Sequence, residues 1–129
     1  MSRLLQAAGC SLLVRSHQRG ERLIPLDQHF FTGYRRTLLA PTEVLVRVLL
    51  PLSCPSEHLA GYKQAQRRQD DISIVTCGMR VEFEEGRSVV KEAALSFGGM
   101  AAWTVMALRT GEEMKGRSWD EGLLTEACR

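Results

Sequence analysis

Apolar and polar positions along the chain alternate in short β-type runs, and helical spacing appears only near the C-terminal end. Leu12–Arg15 and Arg22–Leu26 read as strands flanking the polar segment Ser16–Glu21, whose Gly20 predicts a hairpin. Val44–Leu50 (VLVRVLL) is the clearest strand, β-branched and ended by Pro51. Arg47 interrupts it, so one face is expected to meet solvent or a partner. Just upstream, Pro41 in Ala40-Pro41-Thr42-Glu43 fixes its own φ and turns the chain. Leu52–Glu57 reads as a loop. Leu59–Ala65, Ile72–Phe83 and Ser88–Phe97 complete the strands, with Glu84-Glu85-Gly86-Arg87 as a tight hairpin turn.

Gly98-Gly99 ends the last strand. Thr104 is placed to cap a helix over Val105–Lys115 that Gly116 closes. Ser118 and Glu121 have capping-box spacing ahead of Leu123 and Leu124. Strands followed by helices, rather than alternating with them, predict an α+β fold. The last helix has barely begun its apolar stripe at Arg129, so the chain is expected to be a piece of a longer one. Its first residues, MSRLLQAAGCSLLV, superficially mimic a secretory signal. Gln6 breaks that run and no Ala-x-Ala site follows, so no targeting role is expected.

A length of 129 residues fits one domain, and 44 % apolar with 25 % charged residues is ordinary for a globular chain. The net charge of +2 is small and the basic residues are dispersed, which argues against nucleic acid as a partner. No apolar stretch reaches the ~20 residues of a membrane span. Cys10, Cys54, Cys77 and Cys128 are scattered and read as reduced thiols. Cys54 and His58 have metal-like spacing but lack the second pair a zinc site needs. Glycine-rich nucleotide loops, HExxH and G-x-S-x-G are all absent. His17, His29 and His58 lie in polar or turn contexts and read as surface histidines.

The densest cluster of chemistry-bearing residues is YKQAQRRQDDISIVTCGMR, Tyr62 to Arg80. There Arg67 and Arg68 stand beside Asp70 and Asp71. Such a cluster either forms solvated pairs worth under about 1 kcal/mol or steers a ligand. Lys63, with apolar flanks, reads equally as a snorkelling cation. Phe30, Phe31 and Tyr34 could stack on a flat ring or pack in a core, and Trp103 and Trp119 share that ambiguity. Gly98-Gly99 either turns the chain or lets backbone approach a ligand.

Three segments carry a resemblance: FFTGYRRTLLAPTEVL (Phe30–Leu45), YKQAQRRQDDISIVTCGMRVEF (Tyr62–Phe83) and LSFGGMA (Leu95–Ala101), with the tail SWDEGLLTEACR in support. In order and almost without gaps, they resemble the xanthine dehydrogenase and aldehyde oxidase family of molybdenum hydroxylases. The matching region is the C-terminal half of the FAD-binding domain. The resemblance implies an antiparallel sheet packed against helices. It also implies a division into residues 1–37, the end of the FAD-binding subdomain, and 38–129, the flavoprotein C-terminal subdomain. The family's flavin-contacting leucine and lysine fall on Leu45 and Lys63. Its variable loop beside the flavin falls on Gln64–Ile74, with Arg67 and Asp70 at the charged positions nearest the ring. Gln69 stands where the dehydrogenase pattern usually has an acid.

In an intact enzyme the resemblance implies FAD in this domain, with 2Fe-2S clusters and molybdopterin bound elsewhere. Electrons would pass through FAD to NAD+ or O2 as hypoxanthine and xanthine are oxidised to urate. It further implies a homodimer in the cytoplasm, or else in the peroxisome. An aldehyde oxidase-like flavin domain is the alternative, although Tyr34-Arg35-Arg36-Thr37 and the Arg-Arg-x-Asp-Asp loop look more like the dehydrogenase. A non-catalytic truncated product acting as an interaction module is another. The first half of the FAD domain is missing, so this chain alone is expected to bind FAD weakly and to catalyse nothing.

Overall fold

The computed structural model describes residues 1–69 and 71–128. Its elements, in chain order, are α1 (Ser2–Ala7), β1 (Ser11–Ser16), β2 (Gly20–Pro25), β3 (Phe31–Gly33), β4 (Arg36–Thr37), β5 (Val44–Leu49), β6 (Glu57–Gln64), β7 (Val75–Phe83), β8 (Val90–Gly98), β9 (Val105–Met106), α2 (Leu108–Met114) and α3 (Glu121–Ala127). Every strand pairing is antiparallel. One sheet runs β2-β1-β5, a second β6-β7-β8-β9, and β3-β4 form a small hairpin. This is the expected α+β architecture of antiparallel sheets with a few helices.

The β2-β1-β5 sheet buries Leu12, Val14, Ile24 and Leu26 with Cys10 and Phe30 in a first core. The β6-β9 sheet is covered on both faces, because alternate residues of a strand point to opposite sides. Val81 and Val90 meet Met114 of α2 and Leu123 of α3 in a second core, with Phe83, Ala93 and Leu95 beside it. Gly111 lets α2 sit close, since a Cβ there would lie 2.7 Å from the Ala93 carbonyl oxygen. On the opposite face, Gly61 pairs with Gly78 and Gly78 with Ser96, giving a row of small residues across three strands. The α1 helix lies in the trough this row creates. A Cβ on Gly78 would come within 2.6 Å of the Arg3 carbonyl oxygen and the Leu4 Cα.

Two short connections are fixed by polar chemistry. The buried Gln6 donates from Nε2 to the Asp27 carbonyl at 2.7 Å and accepts at Oε1 from the Ser96 hydroxyl at 2.6 Å. Arg80 donates from Nε to the Ala7 carbonyl at 3.1 Å and from Nη2 to Glu92 at 2.9 Å. Both contacts tie α1 down, and Gln6 also reaches the segment that follows β2.

Several boundaries differ from the sequence expectation. The opening segment is a docked helix. Val105 and Met106 do not begin a helix but add a strand to β8, pairing with Phe97 and Ser96. Thr104 therefore precedes a strand, and α2 starts only at Leu108 with no side-chain cap. Ser118 does not cap α3, because its backbone is engaged in a bridge with Val89. Asp120 does so, its carboxylate accepting from the Leu123 amide at 2.8 Å. Ile72 and Ile74 lie outside β7 in an exposed loop. All six residues of β5 are exposed, rather than one face of it.

Seating α1 against glycine makes a stability prediction. Gly78→Ala forces backbone apart and should cost about 2 kcal/mol, lowering the thermal midpoint by roughly 8 °C. Gly61→Ala makes ordinary contacts, with the Leu4 side chain at 3.5 Å and the Cys77 carbonyl oxygen at 3.9 Å, and should shift stability by no more than ~0.5 kcal/mol in urea melts.

Candidate functional site

Leu45 lies on β5, an edge strand whose outer side carries no neighbour among the described residues. Apolar side chains crowd it, and Leu45 itself remains 45 % exposed alongside Val44, Val46, Val48 and Leu49. The entry to β5 is clamped. Glu43 accepts from Arg22 Nε at 2.6 Å and Nη2 at 2.8 Å, and from the Ala40 amide at 2.7 Å. The Glu43 side chain is only 1 % exposed. The Arg22 hydrogen bonds first, and the Ala40 amide second, pull its carboxyl down to about 2. The turn that the sequence marks with Pro41 is thus held by a fork-to-fork ion pair across to β2.

Lys63 lies at the end of β6, in the other sheet. Its Nζ donates to the Asp71 carbonyl at 2.5 Å. Arg67 follows in the loop, its side chain 78 % exposed and its Nε 3.7 Å from the Asp71 carboxylate. Asp70 lies outside the described residues. Lys63 and Arg67 are therefore brought together around Asp71, whereas Leu45 stands apart: no Cα of β5 comes within 8 Å of a Cα of β6. The loop closes on the Ile74 amide, which donates to the Gln64 carbonyl at 2.8 Å.

Beside the loop lies a cleft of about 400 Å³ lined by Arg3, Tyr34, Arg35, Arg36, Gly99 and Trp103, among others. Arg3 lines it, and the Arg3 Nε is buried against Gly98 with no hydrogen-bond partner among the described residues. Arg35 holds a left-handed φ of 56° in the tight β3–β4 turn and places its guanidinium 5.5 Å from the Tyr34 ring centre. Backbone strain of this kind gathers where a wall must be held in place. Gly99, at φ 88°, admits the Ile74 carbonyl, so the cleft and the end of the loop share a border. Gly98 serves a different purpose, leaving room for the Arg3 side chain itself. The sequence raised the aromatics and the glycine pair without joining them. Arg3 carried no signal, because its place depends on how α1 docks.

The remaining candidates resolve as packing. Phe30 is buried and meets Phe31 edge-on at 5.0 Å. Trp119 meets Phe83 at 5.6 Å, and Phe83 meets His58 at 5.7 Å. Cys54 lies 3.3 Å from the Ser56 hydroxyl. Among the described residues, no helix is long and apolar enough to cross a membrane.

Comparisons with known proteins bear on this site. Residues 60–129 match the family model described as CO dehydrogenase flavoprotein C-terminal domain. Over 126 residues the chain is 51 % identical to xanthine dehydrogenase/oxidase of Gallus gallus, covering 98 % of this chain and 9 % of that protein. It is 40 % identical to aldehyde oxidase 1 of Oryctolagus cuniculus, with the same coverage. The chain thus spans about a tenth of the length of these curated relatives. The CO dehydrogenase of Hydrogenophaga pseudoflava that lacks the Mo-pyranopterin moiety shares the fold, with a TM-score of 0.86 at 20 % identity over 98 % of this chain and 42 % of that one. Quinoline 2-oxidoreductase of Pseudomonas putida 86 superposes with a TM-score of 0.76 at 26 % identity, covering 98 % of this chain and 42 % of that one.

The Glu43 clamp has a pH signature. A carboxyl depressed in the folded state contributes stability above its unfolded value near 4.5, and that contribution disappears as pH falls toward about 2. Urea midpoints should therefore drop across this window. Glu43→Gln should be less stable at pH 7 and show a visibly flatter acid limb.

Proposed function

This chain belongs to the CO dehydrogenase flavoprotein C-terminal domain family, the C-terminal part of the FAD domain of molybdenum hydroxylases, and on that premise we propose that it forms one wall of an FAD site in a xanthine dehydrogenase-like oxidoreductase. The observation that carries the reading is the 51 % identity to a xanthine dehydrogenase/oxidase across almost the whole chain, which exceeds the 40 % to an aldehyde oxidase. In the intact enzyme, electrons from molybdenum and 2Fe-2S centres would leave through this domain to NAD+ or O2 as xanthine is oxidised to urate. The division at residue 37, the homodimer and a cytoplasmic or peroxisomal location belong to the same proposal.

The residues suit a flavin. Leu45 offers an apolar surface that excludes water from one side of a ring. Lys63 offers an ammonium with N–H donors beyond the one given to the Asp71 carbonyl, and Arg67 an exposed positive charge that favours electron-rich groups nearby. FAD, when bound, would supply the two-electron carrier that the side chains lack. The cleft next to the loop supports a dinucleotide acceptor. Arg3, Arg35 and Arg36 offer charge to phosphates, while Tyr34 and Trp103 offer flat faces to a base.

The 129-residue chain by itself should leave flavin fluorescence unchanged at micromolar concentration, because it matches only 42 % of the CO dehydrogenase chain that shares its fold. Grafted into the corresponding region of the Gallus gallus relative, it should support flavin absorbance and NAD+-dependent oxidation of xanthine in preference to aromatic aldehydes. Leu45→Asp should abolish flavin retention, and Lys63→Met should weaken FAD about tenfold. A graft that oxidises aldehydes without responding to NAD+ would point to the aldehyde oxidase reading instead.

A further inference from the structure

We propose that Asp71 is a positioning residue that sets the shape of the loop from residue 64 to residue 74 and fastens it to Lys63. The proposal rests on the flavin-side reading of this edge and names the residue that holds it.

The base of the loop is fixed by backbone alone, through the Ile74 amide on the Gln64 carbonyl and the close seating of Ile74 against Gly99. Among the described residues of the loop, the anchoring converges on Asp71. Asp71 Oδ2 accepts from the Arg67 amide at 3.0 Å, closing a five-residue turn. Oδ1 accepts from the Ile72 amide at 3.0 Å. The same carboxylate faces the Arg67 guanidinium, and the Asp71 carbonyl accepts from Lys63 Nζ. The Asp71 side chain is 18 % exposed against 78 % for Arg67, so the carboxylate points inward and the guanidinium outward.

An aspartate suits this role because two acceptor oxygens on a short stem can take two backbone amides that a turn leaves unpaired. Asparagine offers one oxygen and alanine none. The Lys63 contact couples the arrangement to ligand. An acceptor group that engages the Lys63 ammonium must share it with the loop carbonyl or take it over. Occupancy at Lys63 and the posture of Arg67 are then linked through a single residue.

Limited trypsin digestion of the 129-residue chain tests the staple, because Arg67 and Arg68 are themselves cleavage sites. Asp71→Ala should accelerate cleavage after Arg67 and Arg68 about tenfold while leaving cleavage after Arg87 and Arg109 unchanged. Asp71→Asn, which keeps the size and one acceptor, should fall between, and it provides the test if the alanine variant does not fold. Lys63→Met should accelerate the same two cuts, and adding it to Asp71→Ala should contribute little more. Rates within twofold of the parent chain for both Asp71 variants would overturn the proposal. In the graft described above, Asp71→Ala should raise the KM for NAD+ about fivefold with a smaller change in kcat, and Asp71→Asn should recover part of it. An unchanged KM beside an exposed loop would overturn the positioning role. A parent graft that takes up no flavin would instead overturn the flavin reading, leaving the staple to be decided by the digestion.

Discussion

The contact on which the rest of the molecule depends is the seating of α1 against the small-residue row Gly61–Gly78–Ser96. A six-residue helix has no stability of its own in water. It persists because its backbone touches the sheet at Gly78, and because Gln6 is satisfied at both ends, by Ser96 and by the Asp27 carbonyl. Each such bond is worth only about 1 kcal/mol net, yet losing one partner strands a buried amide at a cost of ~1–3 kcal/mol. The arrangement is cooperative, since neither the helix nor the glutamine contacts survive alone. Leu5 of the same helix packs into the first core, so this one element belongs to both halves of the fold.

That shared element has a consequence for the candidate site. Leu45 and Lys63 belong to different sheets whose strands β5 and β6 do not touch. What relates them is α1, which packs directly on β6, β7 and β8 and sends Leu5 into the core beneath β1, the strand that pairs with β5. Arg3 and Ser2 on α1 also line the cleft beside the loop. The helix that links the two sheets therefore also contributes side chains to the cleft.

The sequence made the strands legible because β-branched and apolar runs between turn residues encode them locally. The Val44–Leu49 and Phe83–Val90 regions follow that local code closely. Where it failed, the deciding interaction was distant. Gln6 read as an interruption in an apolar run, when its position is set by Ser96, ninety residues away. Thr104 looked like a helix cap because capping is a local signal, but pairing with β8 claimed the next two residues. The capping box at Ser118 failed for the same reason, and the true cap, Asp120, lies two positions on. Arg67, Arg68 and Asp71, the three charged residues described in the loop, were legible as a cluster. That the Asp71 carboxylate accepts the Arg67 and Ile72 amides was not, since this depends on backbone geometry rather than on its charge.

An exposed apolar edge and a charged loop place opposite demands on the same molecule. An edge strand of valine and leucine offers unpaired backbone groups and apolar surface together, which invites non-specific pairing. Evolution usually blunts such an edge with charge, and Arg47 is the only charged residue on β5. On the proposed flavin-site reading, this edge is the surface that a ring would cover. The loop behaves differently. Its described anchors are polar and are met within the chain. On the proposed reading, the apolar wall would become dry only on assembly, whereas the anchors of the charged one are already met within the chain. A site whose apolar half forms on assembly while its charged half is already set would gain affinity mainly from closure, with the charges orienting what enters.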